Sequence, residues 1–335
     1  MTSTERIHLS VPAARELAQS AVEALGYDAQ DSRVIADHMI DAALCGYEYS
    51  GLPKILNVAD APQAKQPKQK PRIVFETPVS ARMDGGNSVG MLALARATEV
   101  VIEKARASGI GLVSMGNSFT SGRSAYYVEK IARADMIGFL AISSTRTVAP
   151  LGGAKAALGT NPIAFGLPVD GGDPLILDMG TSAFMASELM FFRRLGKLLP
   201  DGVAIDKEGS PTRDPAAVME GGALLPFGGH KGYGLALIMH ALCMLDGLFK
   251  DDGQRSGYLL IAFKPELLVS LEDYKKQLRL LIDRVKSTPR LPGIEEIRIP
   301  SERSFRERAL NLSEGIKIDR SIHDALHVLA SRKGL

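Results

Sequence analysis

GTNPIAFGLPVDGG (residues 159–172) and LILDMGTSA (175–183) decide how the middle of this chain folds. Both are short apolar runs bounded by glycine, proline and small polar residues, and 162–167 and 175–177 read as strands. GGALLPFGGHKGYG (221–234) adds glycine-lined turns and a lone His230–Lys231 pair. Glycine accepts φ > 0 and presents no side chain, so such segments let backbone approach a flat, phosphate-bearing ligand. His230 and Lys231 add hydrogen-bond donors, and Lys231 a positive charge. No G-x-x-x-x-G-K-[ST] occurs, and no G-x-G-x-x-G follows a strand and opens a helix. The expected ligand site is therefore neither a P-loop nor a Rossmann turn.

Outward from this centre, 73–76 and 80–83 read as a hairpin or sheet edge. Residues 91–107 and 126–133 read as helices, and 111–115 and 137–142 as strands. On the other side come a helix at 235–248, a β-rich run at 258–263 and a charged amphipathic helix at 271–285. The ends are helical. Ser10 caps a helix that has Pro12 in its first turn and ends near Gly26, and a second helix covers 31–44 and stops at Gly46. Two more fill 302–312 and 320–331. The polar stretch APQAKQPKQKP (61–71) reads as a linker or exposed loop. Strands in the middle and helices at both ends predict an α+β protein. The expected division is a helical domain from residues 1–75 plus 300–335, around a sheet domain of 76–299.

Composition bounds the rest. The chain has 335 residues, 45% apolar and 23% charged, with a formal net charge of +2. That balance gives no electrostatic case for nucleic acid or an anionic membrane. The longest apolar run, 235–248, is broken by His240 and Asp246 and is too short to span a bilayer. The opening MTSTERIHLS has no apolar signal core, so a cytoplasmic protein is expected. Cys45 and Cys243 match no metal spacing and read as buried free thiols; no metal site is expected. The cluster Arg193, Arg194, Lys197 reads as a solvated helix end.

The three motif segments, with VAPLGG (148–153), resemble the type 2 malate/L-lactate dehydrogenase family. The resemblance runs from the first helix to ERSFRERA (302–309), and is strongest toward reductases of the cyclic imino acids Δ1-pyrroline-2-carboxylate and Δ1-piperideine-2-carboxylate. It implies a homodimer in which a non-Rossmann, mostly antiparallel sheet binds NADPH or NADH, with a small substrate between two domains. On the cofactor side Asp178, Met179, Gly180, Thr181, His230 and Lys231 match the family, and Arg303, Arg306 and Arg308 occupy the segment it uses near the cofactor phosphates. Asp178 is equally suited to capping a helix.

On the substrate side the chain departs from the family. The family's Ser-His-Gly turn, with an Arg four residues past the His, is here GYEYSGLPK (46–54). Ser50 stands in place of the His, Lys54 in place of the Arg, and Glu188 in place of the orienting Asp. A second family His is also replaced, within NSFTSG (117–122), where Thr120 stands. Ketone reduction leaves an alkoxide that needs a placed proton donor, most often His. A protonated cyclic imine is already an electrophile, so an imine reductase survives loss of the His more easily. The expectation is NAD(P)H-dependent reduction of a cyclic imino acid to L-proline or L-pipecolate. Ser50 and Glu188 hold a water or the imine N–H, and Lys54 pairs with the substrate carboxylate. Lysine lacks arginine's bidentate fork, so Thr120 and Thr160 are expected as extra donors. The alternatives are a 2-hydroxy-acid dehydrogenase of the malate or lactate type, and a cofactor-binding protein without catalysis.

Overall fold

The computed structural model describes residues 5–247 and 256–332. The first half of the chain runs β1 (Arg6–Leu9), α1 (Val11–Glu23), α2 (Ala29–Leu44), α3 (Pro53–Asp60), β2 (Arg72–Glu76), β3 (Ser80–Val89), α4 (Gly90–Ser108), β4 (Ile110–Phe119), α5 (Ala125–Arg133) and β5 (Ile137–Ser143). The second half runs β6 (Ile163–Leu167), β7 (Leu175–Met179), α6 (Ala186–Arg194), β8 (Ala204–Ile205), α7 (Pro215–Met219), β9 (Ala223–Leu224), α8 (His230–Cys243), β10 (Ser256–Phe263), α9 (Leu271–Lys286), α10 (Glu302–Glu314), β11 (Ile316–Asp319) and α11 (Arg320–Ala330).

Seven strands form the central sheet in the order β2-β3-β4-β10-β5-β6-β7. Only β3 and β4 pair in parallel, across the long helix α4; every other neighbour is antiparallel. The architecture is a mixed α/β fold on a mostly antiparallel sheet, the kind of sheet that the family resemblance implies. The middle strands are apolar on both faces because both faces are covered. Along β10, Tyr258, Leu260 and Ala262 face the core with α4 and α5. Leu259 alternates to the other side, where it packs on Met239 and Cys243 of α8. Cys45 and Cys243 are buried free thiols.

A second core joins the two ends of the chain. Leu17, Ala18, Ile35, Met39 and Ile55 of α1, α2 and α3 cluster with Ile318 of β11 and Leu326 and Leu329 of α11. Antiparallel pairing of β1 with β11, Arg6 opposite Asp319 through Leu9 opposite Ile316, fastens that core. Neither strand falls in a span read from sequence as helix, but both lie in the chain ends assigned there to a helical domain, where no strand was expected. Four residues with one half-buried face give too short an alternation to stand out.

Two further differences concern the glycine-rich regions. Helix α8 begins at His230, five residues before the apolar run that predicts it, and residue 248 of that prediction lies outside the described residues. Gly232 lies in the first turn of α8, where a Cβ would strike the carbonyls of Phe227 and Thr181, so the position takes glycine. Residues 61–71 are largely exposed but are not a free linker: Gln69 N donates to Gly86 O at 2.7 Å, and Asn87 Nδ2 donates to the Gln63 carbonyl at 3.0 Å.

Candidate active site

A cleft of about 640 Å³ opens between the terminal helical core and the edge of the sheet. Its wall comes from the turn before α3, the loop after β4, the β5–β6 connection, the end of β7 and the first turn of α6. Ten serines and threonines line it, and no histidine does among the described residues. Among the described residues the only cations on the wall are Lys54 and Arg123, and the only carboxylates are Asp60 and Asp178.

Lys54 lies in the first turn of α3, just after Pro53, whose fixed φ suits a helix start. It is 6% exposed. Its Nζ donates to Ser187 Oγ on α6 at 2.8 Å. Burial lowers its pKa to about 8, against the charge of Asp178, which raises it. Among the described residues no carboxylate forms a salt bridge with it, whereas Arg123 pairs with Asp41 Oδ2 at 2.7 Å and Asp60 with Arg194. Among the described residues Lys54 is thus the one cation of the wall outside a salt bridge, with Asp178 acting on it at longer range.

The loop after β4 is held down on α2. Thr120 adopts a left-handed backbone, φ 57°, and Gly122 follows at φ 80°. A Cβ on Gly122 would strike His38 Nε2, so only glycine fits. The next amide, Arg123 N–H, donates to that Nε2 at 2.8 Å. His38 is fully buried and stacks on Tyr127 with ring centroids 5.3 Å apart. Burial, with the charge of Arg123, keeps its pKa well below the usual histidine range, so the ring is neutral.

Asp178, next to last in β7, lines the same cleft. Its Oδ2 accepts the amide of Ala125, the first residue of α5, at 2.8 Å. The carboxylate therefore caps α5 from across the chain as well as lining the site. Burial raises its pKa against the amides of Ala125 and Ser124 and the charge of Arg123. Thr160 lies beside Ser144, with their hydroxyls 3.4 Å apart, and its carbonyl accepts Thr181 N–H at 2.9 Å.

Of the residues singled out by sequence, the cleft brings together Ser50, Lys54, Thr120, Thr160, Asp178 and Gly180. Glu188 is half-buried in the first turn of α6 and is not on the wall. Burial raises its pKa, and its charge in turn opposes ionisation of Tyr49, which is on the wall. Met179 also lies off the wall. His230 and Lys231 are exposed at the start of α8. Pairing of Ala183 N–H with Leu225 O (2.7 Å) and of Phe227 N–H with Thr181 O (3.1 Å) brings that helix start up to the Gly180 strand end. Arg303 sits 5.3 Å over the Tyr47 ring at the cleft edge. Arg306 points away, its guanidinium held by both oxygens of Glu296 at 2.6 and 2.8 Å. Arg308 is paired with Glu129 and Asp41.

Sequence reading passed over Arg123, Ser187 and Ser144. A single arginine at the end of a Ser/Thr/Gly turn was the available signal for Arg123. Ser187 carried none, because its partner lies 133 residues away.

Comparison with known proteins places this geometry. The family described as malate/L-lactate dehydrogenase matches residues 9–327. A malate dehydrogenase of Pyrococcus abyssi is 34% identical over 93% of this chain and 91% of its own length. A Δ1-pyrroline-2-carboxylate/Δ1-piperideine-2-carboxylate reductase of Pseudomonas syringae pv. tomato is also 34% identical, over 74% of each. The solved malate dehydrogenase of Pyrococcus horikoshii OT3 superposes with a TM-score of 0.85 at 30% identity, covering 99% of this chain and 97% of its own. The chain belongs to the malate/L-lactate dehydrogenase family of oxidoreductases.

Proposed function

We propose that this protein is a nicotinamide-dependent reductase of a small cyclic imino acid, Δ1-pyrroline-2-carboxylate or its six-membered homologue, yielding L-proline or L-pipecolate. The observation that carries the reading is the wall itself. Among the described residues it has ten serine and threonine hydroxyls, one ammonium outside any salt bridge and no imidazole. Lys54 suits the substrate carboxylate. Ser50, Thr120 and Thr160 supply neutral hydrogen bonds around the ring, and Glu188 acts from behind, through Tyr49. The 34% identity to the imino-acid reductase adds support. The longer alignment to the malate dehydrogenase favours the second reading, a 2-hydroxy-acid dehydrogenase.

The residues fit a nicotinamide cofactor. Gly229, at φ 61° before α8, has nothing within 4 Å of where a Cβ would sit, leaving backbone open to a ligand. Asp178, Met179, Gly180, His230 and Lys231 would hold the cofactor, with Arg303 at the cleft edge and Arg306, once released from Glu296, further out. When bound, the reduced nicotinamide supplies the hydride. The protein's own part is to orient the imine, keep its carboxylate on Lys54 and shield the reacting carbon from water. Leu237 and Ile238 of α8, 49% and 55% exposed, supply an apolar face for the homodimer that accompanies this reading.

The test is nicotinamide oxidation, followed by absorbance, with the two cyclic imino acids, pyruvate and oxaloacetate in parallel. Turnover of the imines alone is expected. Turnover of the keto acids alone transfers the assignment to the second reading.

A further inference from the structure

We propose that Lys54 is the proton donor of the reaction as well as the carboxylate anchor, its ammonium giving a proton to the ring nitrogen of the bound imine. The proposal rests on the imino-acid reading above and deepens it.

An ammonium has three N–H donors. Ser187 Oγ takes one, at 2.8 Å, and no carboxylate among the described residues takes another. An α-imino carboxylate presents its ring nitrogen and one carboxylate oxygen on the same edge, at the two ends of an N=C–C–O unit. The two remaining N–H groups of Lys54 match that edge, one to oxygen and one to nitrogen. Transfer along the second converts Lys–NH3+ and the neutral imine into Lys–NH2 and the iminium ion. The proton moves without its bonding electrons, the nitrogen lone pair forms the new N–H bond, and C2 becomes the electrophile. Solvent later returns the proton to the amine.

The other groups nearest Lys54 are less suited to this part. Ser50, at the position where the family resemblance places a histidine, is a hydroxyl. Burial and the charges of Glu188 and Asp178 keep Tyr49 well above its usual pKa, so it is a weak acid. Arg123 does not give up its proton and is tied to Asp41. His38 has its Nε2 filled by the Arg123 amide. Asp178 accepts the first amide of α5. Facing Lys54, these are the groups that set its charge. Burial favours the neutral amine and Asp178 opposes it, and the balance near pH 8 leaves a proton that is present at neutrality and transferable.

The test compares wild type with Lys54→Arg, which keeps the charge for the carboxylate but holds its proton. For wild type, kcat/KM on Δ1-pyrroline-2-carboxylate is expected to fall above about pH 8, roughly tenfold per pH unit. In K54R, KM is expected within about threefold of wild type while kcat at neutral pH drops about a hundredfold and the limb near pH 8 disappears. Acidification, which protonates the imine from solvent, should restore K54R. Reductive 13C-methylation gives a readout independent of turnover: one dimethyl-lysine signal titrates near pH 8 in wild type and is missing from K54R. A wild-type profile flat to about pH 10, or K54R with wild-type kcat and pH dependence, overturns the proposal. If K54R fails to fold, the wild-type limb and the 13C titration decide. Silence on imines with turnover of keto acids sinks the substrate assignment instead, and the same comparison on the keto acid still tests Lys54, its proton then going to the carbonyl oxygen.

Discussion

The chemistry of the cleft turns on how two side chains share one buried environment. Lys54 is pushed down by burial and held up by Asp178, so the carboxylate is the lever on the amine. In Asp178→Asn the amide oxygen still accepts from Ala125 N–H, and α5 keeps its cap at a cost of about 1 kcal/mol. The charge is gone, however, and burial then acts on Lys54 unopposed. Its pKa moves below 8, and the alkaline limb of kcat/KM moves to lower pH. A limb that stays in place would separate the two residues. At this scale much of the site was legible. Ser50, Lys54, Thr120, Thr160, Asp178 and Gly180 sit inside motif segments and meet in one cleft. Their partners were hidden, because hydrogen bonds such as Lys54 to Ser187 close over distances along the chain that no local pattern encodes.

At the level of elements, the loop after β4 depends on a neutral histidine in α2. Nε2 of His38 accepts a backbone amide, so the folded state needs the unprotonated ring. Its folded pKa lies well below 6.5, the ordinary value. Between the two values the unfolded chain binds one proton more than the folded one. Stability from this group is therefore complete above about pH 6.5 and falls as the pH drops, by up to about 1.4 kcal/mol per unit. His38→Gln keeps an acceptor for Arg123 N–H and removes the titration. Urea denaturation between about pH 5 and 7 is expected to show a shallower loss in H38Q than in wild type. Parallel slopes would mean that other groups carry the acid sensitivity. Nothing local in the sequence singles out the glycine of this loop, since the residue that excludes a Cβ at Gly122 lies in a different helix.

Across the whole molecule, apolar periodicity marked most of the central strands and helices, while their fastening came from polar side chains far apart in sequence. Arg308 of α10 reaches both oxygens of Glu129 on α5 at 2.8 and 2.7 Å, and Asp41 of α2 at 2.9 Å. Asp41 in turn holds Arg123 at the cleft. One cluster thus ties the C-terminal segment, a sheet-flanking helix, the N-terminal helix α2 and the cleft wall together. Burial would raise the Glu129 pKa, but Arg308 and Arg133 outweigh it and hold the carboxyl below its usual range. Its contribution is therefore present above the unfolded pKa and lost as the pH falls through the folded one. Arg308→Met fills similar space without charge and leaves Glu129 with Arg133 alone. We expect a loss of about 3 kcal/mol in urea denaturation, the lower end for breaking a buried pair, because one partner remains. Adding Glu129→Gln should cost less than the sum of the single changes, since the stranded charge is then gone. The catalytic readout separates this tie from simple packing. If Asp41 is freed and Arg123 shifts with it, KM for the imino acid rises in R308M at temperatures where the protein is fully folded. An unchanged KM beside the same loss of stability would confine the cluster to holding the fold together.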